Sequence, residues 1–218
     1  IRFHHLETTM DGVPVELHFF PCPMNNLLCH ARLQKWFKRN ADLQCSNVVS
    51  LPDGIGEIAI PTTAFNVVYQ LTHLYHHFFD EGMRQIIDYY FVVSMLNVNC
   101  EMLTWLPKEL KHLGLWKFAG AVMYVQHEAL GLSEEKMIAP MDEKRGELLL
   151  AEILEGGNFG RHFTKYGGFT HQSMGKKYFL KIWRNMHFVR FYPAEALSEP
   201  IFRTWHFFLR LKHRSQSL

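Results

Sequence analysis

Apolar and polar positions alternate with period two at the start of the chain, then give way to helical spacing over most of its length. Val13, Val15, Leu17 and Phe19 alternate with Pro14, Glu16, His18 and Phe20, which describes a strand with one apolar face and one face carrying Glu16 and His18. Ile1–Thr9 and Val13–Phe20 flank Asp11-Gly12, a dipeptide that tolerates positive φ at both positions and so suits a type I′ hairpin turn. With those two at the tip, Glu7 lies opposite Glu16 and His5 opposite His18. Facing carboxylates repel. Either a cation between them or ordinary solvent exposure relieves this, and exposure is the simpler explanation.

Pro21-Cys22-Pro23 ends the strand, and Asn25 or Asn26 caps a helix running to about Asn40. Its stripe is Leu28, Leu33, Trp36 and Phe37, with Lys35, Lys38 and Arg39 on a solvated face. Val48–Leu51 and Glu57–Ile60 flank Pro52-Asp53-Gly54-Ile55-Gly56, a second short hairpin. After Pro61 the spacing is helical: Thr62–Phe79, Met83–Leu96, Glu101–Leu113, Trp116–Leu130, Glu143–Leu154, Ser173–Phe191 and Ala194–His213. The breakers between them include Gly82, Asn97–Asn99, Gly114, Gly131, Pro140, Gly156-Gly157, Gly167-Gly168 and Pro193. The expected class is α+β, with a small β-rich head over residues 1–60 and a helical bundle domain over 61–218.

The 218 residues are ample for a hydrophobic core, and 48% apolar with 20% charged residues fits a folded globular chain. A formal charge of +2 argues against a strongly basic nucleic-acid binder. The most apolar stretch, Ile86–Leu96, contains Asp88 and is too short to cross a bilayer, so no membrane partner is expected. Arg2, His4, His5 and Glu7 stand where a secretory signal needs apolar residues. Cys22, Cys29, Cys45 and Cys100 form neither a CxxC pair nor a zinc spacing, which points to reduced thiols and a cytoplasmic setting. The chain opens on Ile1 directly into strand-like sequence, which is expected of the remainder of a longer polypeptide. Histidine is in excess, at 14 residues.

Three of those histidines, His73, His76 and His77, lie on one helix. His73 and His77 are spaced i,i+4 and share a face. Two ligands at that spacing need a third from elsewhere, and Leu74 stands where an HExxH motif has its glutamate. Partly buried histidines bonding to neighbouring helices are the simpler explanation. Arg84 and Asp88 are also i,i+4. In most helices this is a surface ion pair, but Ile86, Ile87, Tyr90, Phe91, Val92 and Val93 suggest a helix buried on more than one face. A buried Arg held by Asp makes a good phosphate donor, because the guanidinium fork matches phosphate oxygens. Glu155-Gly156-Gly157-Asn158-Phe159-Gly160-Arg161 follows a helix rather than a strand, so a helix C-cap explains it better than a phosphate loop. Lys176, Lys177, Tyr178, Lys181, Trp183 and Arg184 interleave basic and aromatic residues, as amphipathic packing does without nucleic acid.

Four pieces in order carry a resemblance: Val15-Glu16-Leu17-His18, Leu71-Thr72-His73-Leu74-Tyr75-His76-His77, the Arg84…Asp88 helix, and Glu152-Ile153-Leu154-Glu155-Gly156-Gly157-Asn158-Phe159-Gly160. Over nearly its whole length the chain resembles uncharacterised bacterial nucleotidyltransferase-like proteins. The resemblance implies a nucleotidyltransferase-fold head followed by a helical domain, with three carboxylates holding two Mg²⁺ ions. It assigns Glu16 as the third, catalytic and metal-binding carboxylate, with His18 beside it on the same face. It also implies a phosphate contact by Arg84, oriented by Asp88, and a cleft lined by His73 and His77. The substrates would be an NTP and an unknown acceptor. The Gly-Ser turn and Asp-x-Asp strand of that family are not found, so the catalytic set is incomplete and the chain is expected to be inactive alone.

Two other classes stand beside this. One is a non-catalytic helical module holding a ligand or protein in an apolar groove, favoured by 14% aromatic residues and the Trp205–Leu211 stretch. The other is a histidine-based metal protein using His73, His77 and Glu16 or His18. A dry apolar groove, with Arg84 and Asp88 paired on the outer surface, would favour the binding module. Self-association through the exposed edge of the first hairpin is a further expectation.

Overall fold

Asp11 and Gly12 both adopt positive φ, at 50° and 80°. They close an antiparallel hairpin of β1 (His5–Met10) and β2 (Val13–His18), with Glu7 opposite Glu16 and His5 opposite His18, as the turn residues require. This is a computed structural model, and it describes residues 5–77, 83–96, 100–156 and 173–214. A second hairpin pairs β3 (Val48–Ser50) with β4 (Glu57–Ala59). With helices making up most of the rest, the protein is α+β.

Helix α1 (Leu27–Ser46) starts at Asn26, whose side-chain oxygen accepts the Cys29 backbone N–H at 3.1 Å. It runs past Asn40 because nothing there breaks it. Asn40 and Gln44 instead donate their amides back to the carbonyls of Trp36 and Asn40. Gln44 also accepts the Thr62 N–H at 2.7 Å, and Asn47 donates to the Ile60 carbonyl at 2.8 Å, so the end of α1 anchors the base of the second hairpin.

The remaining helices are α2 (Thr63–His77), α3 (Met83–Ser94), α4 (Cys100–His112), α5 (Trp116–Leu130), α6 (Glu143–Gly156), α7 (Met174–Phe188) and α8 (Pro193–Arg214). Helix α5 is the centre: every residue from Phe118 to Met123 is buried, so it is apolar all round rather than on one stripe. One continuous core then takes in Leu33, Trp36 and Phe37 of α1, Leu71 and Tyr75 of α2, Leu106 and Leu110 of α4, and Phe188 of α7. At the crossing of α5 and α6, Gly146 lies against Tyr124 so closely that a Cβ there would meet the Tyr124 Cβ at 2.5 Å.

Helix α3 differs from expectation. Ile86, Tyr89 and Val93 face the core, while Ile87 and Phe91 are exposed. A single stripe at i, i+3 and i+7 suffices to seat it, so its outer apolar residues stay in water. The apolar face of the first hairpin is exposed as well, at Val13, Leu17 and Phe19. Among the described residues no helix is long and apolar enough to cross a membrane. Cys22, Cys29 and Cys45 are free thiols.

Candidate functional site

Alternation along β2 puts Glu16 and His18 on one face, where Glu16 Oε2 and His18 Nε2 are 3.5 Å apart and both side chains are partly exposed. His73 of α2 is half-buried. Burial pushes its imidazole pKa down. The structure thus brings Glu16 and His18 together on β2, with His73 on a separate element, α2. The side chains of His77, Glu7 and His5 lie outside the described residues, as does the loop from Gly157 onward.

Arg84 and Asp88 are paired only at 4.0 Å, with 69% and 61% of their side chains exposed. An exposed i,i+4 pair of this kind contributes under ~1 kcal/mol. It lies on the outer side of α3, apart from the core. Among the described residues no group of three His, Cys, Asp or Glu side chains is placed to hold a metal ion. Glu16 has the His18 imidazole at 3.5 Å, and the side chain of Glu7, opposite it in the register, lies outside the described residues. The donor set on the described residues therefore does not fit a three-carboxylate, two-Mg²⁺ arrangement.

A different arrangement is built where α8 meets the start of α1. Pro193 opens α8 as the N1 residue, with its fixed φ and no N–H to strand. Two residues on, Glu195 points inward and is almost wholly buried. Its carboxylate accepts the backbone N–H groups of Asn25 at 2.8 Å and Asn26 at 3.2 Å. One carboxylate thus sits at the N-terminal ends of two helices, where both dipoles favour negative charge. Even so, burial pushes its pKa up, opposed by the two backbone donors and reinforced by Glu199. Glu199, one turn further, is also buried; it accepts the Asn185 amide at 2.6 Å and is paired with Arg203.

Positions two apart on a helix are separated by about 200°. Turning Glu195 and Glu199 inward therefore turns Leu197 and Ile201 outward, and the rest of their stripe, Trp205 and Phe208, follows. All four are exposed, Ile201 at 71% and Trp205 at 51%. Facing them are Leu27 and Leu28 in the first turn of α1, both 70% exposed. Asn26 Nδ2 donates to Ser198 Oγ at 3.2 Å, joining the two helices at one end. Between them lies an apolar groove of about 560 Å³, lined by Leu27, Leu28, Ile201, Phe202 and Trp205. Its size is in the range of sites that hold ligands or inserted side chains. Its lining offers apolar contact with a polar end at Asn26 and Ser198.

Sequence reasoning singled out Trp205 but not Glu195, Glu199, Leu27 or Ile201. The available signal was that Glu195 and Glu199, spaced i,i+4, are the acidic residues of a segment otherwise charged by Lys and Arg. No family model matches this chain, and no curated protein or solved structure matches it significantly.

Proposed function

We propose that this chain is a non-catalytic helical binding module that holds a partner or ligand in the groove between α1 and α8. The observation that carries this reading is the orientation of α8, which buries its two carboxylates and leaves its apolar stripe in water. Covering one large apolar side chain contributes about 1.5–3 kcal/mol. The stripe therefore holds enough unused burial to drive association against the entropy it costs. The exposed Arg84–Asp88 pair supports the same reading, because a surface pair is not a preorganised phosphate donor.

The test uses a naphthalene sulfonate dye that fluoresces on entering apolar sites. Saturable binding should be lost on Ile201→Asp and on Leu28→Asp, with the circular dichroism melt unchanged, since both side chains are exposed. Dye binding that neither substitution alters would sink the reading.

The nucleotidyltransferase reading is supported by one juxtaposition, the Glu16–His18 pair on β2. In it the complete protein transfers a nucleotide from an NTP to an unknown acceptor with Mg²⁺, and Glu16 binds metal. An MgATP affinity of the complete protein that is indifferent to Glu16→Ala would eliminate it.

A further inference from the structure

The charge of this protein is unevenly distributed. Helices α1 and α8, which form the groove, carry eight Lys and Arg against three acidic residues, while the rest of the chain carries 15 against 18. Of those three acids, Glu195 and Glu199 are buried and hydrogen-bonded within the fold. The third, Asp42, stands fifteen positions from Leu27, about 22 Å along the helix axis. Among the described residues no acidic side chain lines the groove. The elements that form the apolar groove are thus the positive part of a nearly neutral molecule.

From this we infer that the groove receives an acidic amphipathic helix from a partner protein, an inference that rests on the groove being a binding site. The stripe from Leu197 to Phe208 is about 16 Å long, the length of three helical turns. A partner helix with large apolar residues at i, i+4 and i+7 matches it by ridges-into-grooves packing, with Leu27 and Leu28 as the opposite wall. Carboxylates flanking those anchors are favoured by the net positive charge of α1 and α8. Such complementarity raises the association rate and rejects basic or neutral competitors. A bilayer surface fits less well, because it takes up protruding side chains. Here half-buried Phe202 lines a recess between the two walls.

Fluorescence anisotropy on the full chain tests this with three labelled peptides of about 16 residues. They share Leu and Phe at i, i+4 and i+7 and differ only in carrying Glu, Gln or Lys at the remaining positions. The Glu peptide should bind with a Kd at least about tenfold below that of the Gln peptide, and the Lys peptide should not bind. Raising NaCl from about 50 to about 500 mM should weaken the Glu peptide about tenfold or more. Ile201→Asp and Leu28→Asp should abolish binding, and Leu154→Asp, exposed on α6, should leave it unchanged.

Equal binding of the Gln and Glu peptides overturns the inference while leaving the groove as a site. So does failure of every peptide when the dye still binds and still responds to Ile201→Asp. Dye binding that ignores Ile201→Asp removes the groove reading itself. Ile201-dependent binding to phosphatidylcholine vesicles with about 30% phosphatidylserine, without peptide binding, overturns the inference in favour of a lipid surface. Sedimentation showing self-association lost on Ile201→Asp overturns it in favour of a second copy of this chain.

Discussion

Replacing Glu195 tests whether one buried carboxylate holds the groove together. In Glu195→Ala the N–H groups of Asn25 and Asn26 lose their acceptor, at 2.8 and 3.2 Å in the native protein, and Asn25 is itself buried. Each stranded buried donor costs ~1–3 kcal/mol, so a loss of about 3 kcal/mol is expected after offsetting the desolvated carboxylate. For a chain of this size that corresponds to a fall in Tm of about 6–12 °C. Glu195→Gln keeps one acceptor and should cost about half as much. The pH dependence has a definite sign. The folded-state pKa of Glu195 is raised above the usual carboxylate value by burial. The folded protein therefore binds that proton more tightly, and the stabilisation is complete below the unfolded pKa and lost as pH rises through the folded one. The gap between native protein and Glu195→Gln, measured by urea unfolding, should be widest in acid and narrow as pH rises from about 4.5. A loss below ~1 kcal/mol for Glu195→Ala, or a gap that widens with pH, would refute the reasoning.

Three further outcomes follow from the same structure. Gly146→Ala gains about 1 kcal/mol of helix propensity. It should nonetheless destabilise the protein by ~2 kcal/mol, because its Cβ would meet Tyr124 Cβ at 2.5 Å, an atom no side-chain rotation can move away; a stabilised variant in thermal unfolding would contradict the α5–α6 packing. Burial pushes the Cys22 thiol pKa up to about 12, so at neutral pH Cys22 should resist a thiol reagent that labels exposed Cys45 within minutes, as peptide mass mapping would show. Arg84→Ala and Asp88→Ala should each change stability by no more than about 0.5 kcal/mol, given their exposure, and a larger loss in denaturant titrations would mean the pair is more than a surface contact.

The first hairpin was legible to the register because Asp11-Gly12 allows one turn geometry, and that geometry dictates every facing pair. A cap at Asn25 or Asn26, which the structure resolves to Asn26, and the shared face of Glu16 and His18 were also legible, since both are consequences of local spacing. Long-range partners were not. Helix α8 carries both an apolar stripe and an acidic one, and spacing alone favours burying the apolar side. The opposite orientation is decided by Asn25 and Asn26, about 170 residues earlier in the chain, and by Asn185 on α7. Each provides donors that make a buried carboxylate tolerable. Helix α3 misleads in the other direction: Ile87 and Phe91 suggest a second buried face, yet both are exposed in the fold. The i,i+4 spacing of Arg84 and Asp88 was readable, but their place on the outer surface depends on how α3 is rotated against α5.

Methyl NMR on the full chain tests the central claim most directly. The Glu peptide should be titrated into protein labelled at Ile, Leu and Val methyls, with MgATP in a parallel titration. The account predicts shifts at Leu27, Leu28 and Ile201, which line the α1–α8 groove, and at Leu197 on the same exposed stripe of α8, with Val13, Val15 and Leu17 of the hairpin unmoved. Peptide-induced shifts that spare those four methyls, or MgATP shifts centred on Val15 and Leu17 beside Glu16, would contradict it.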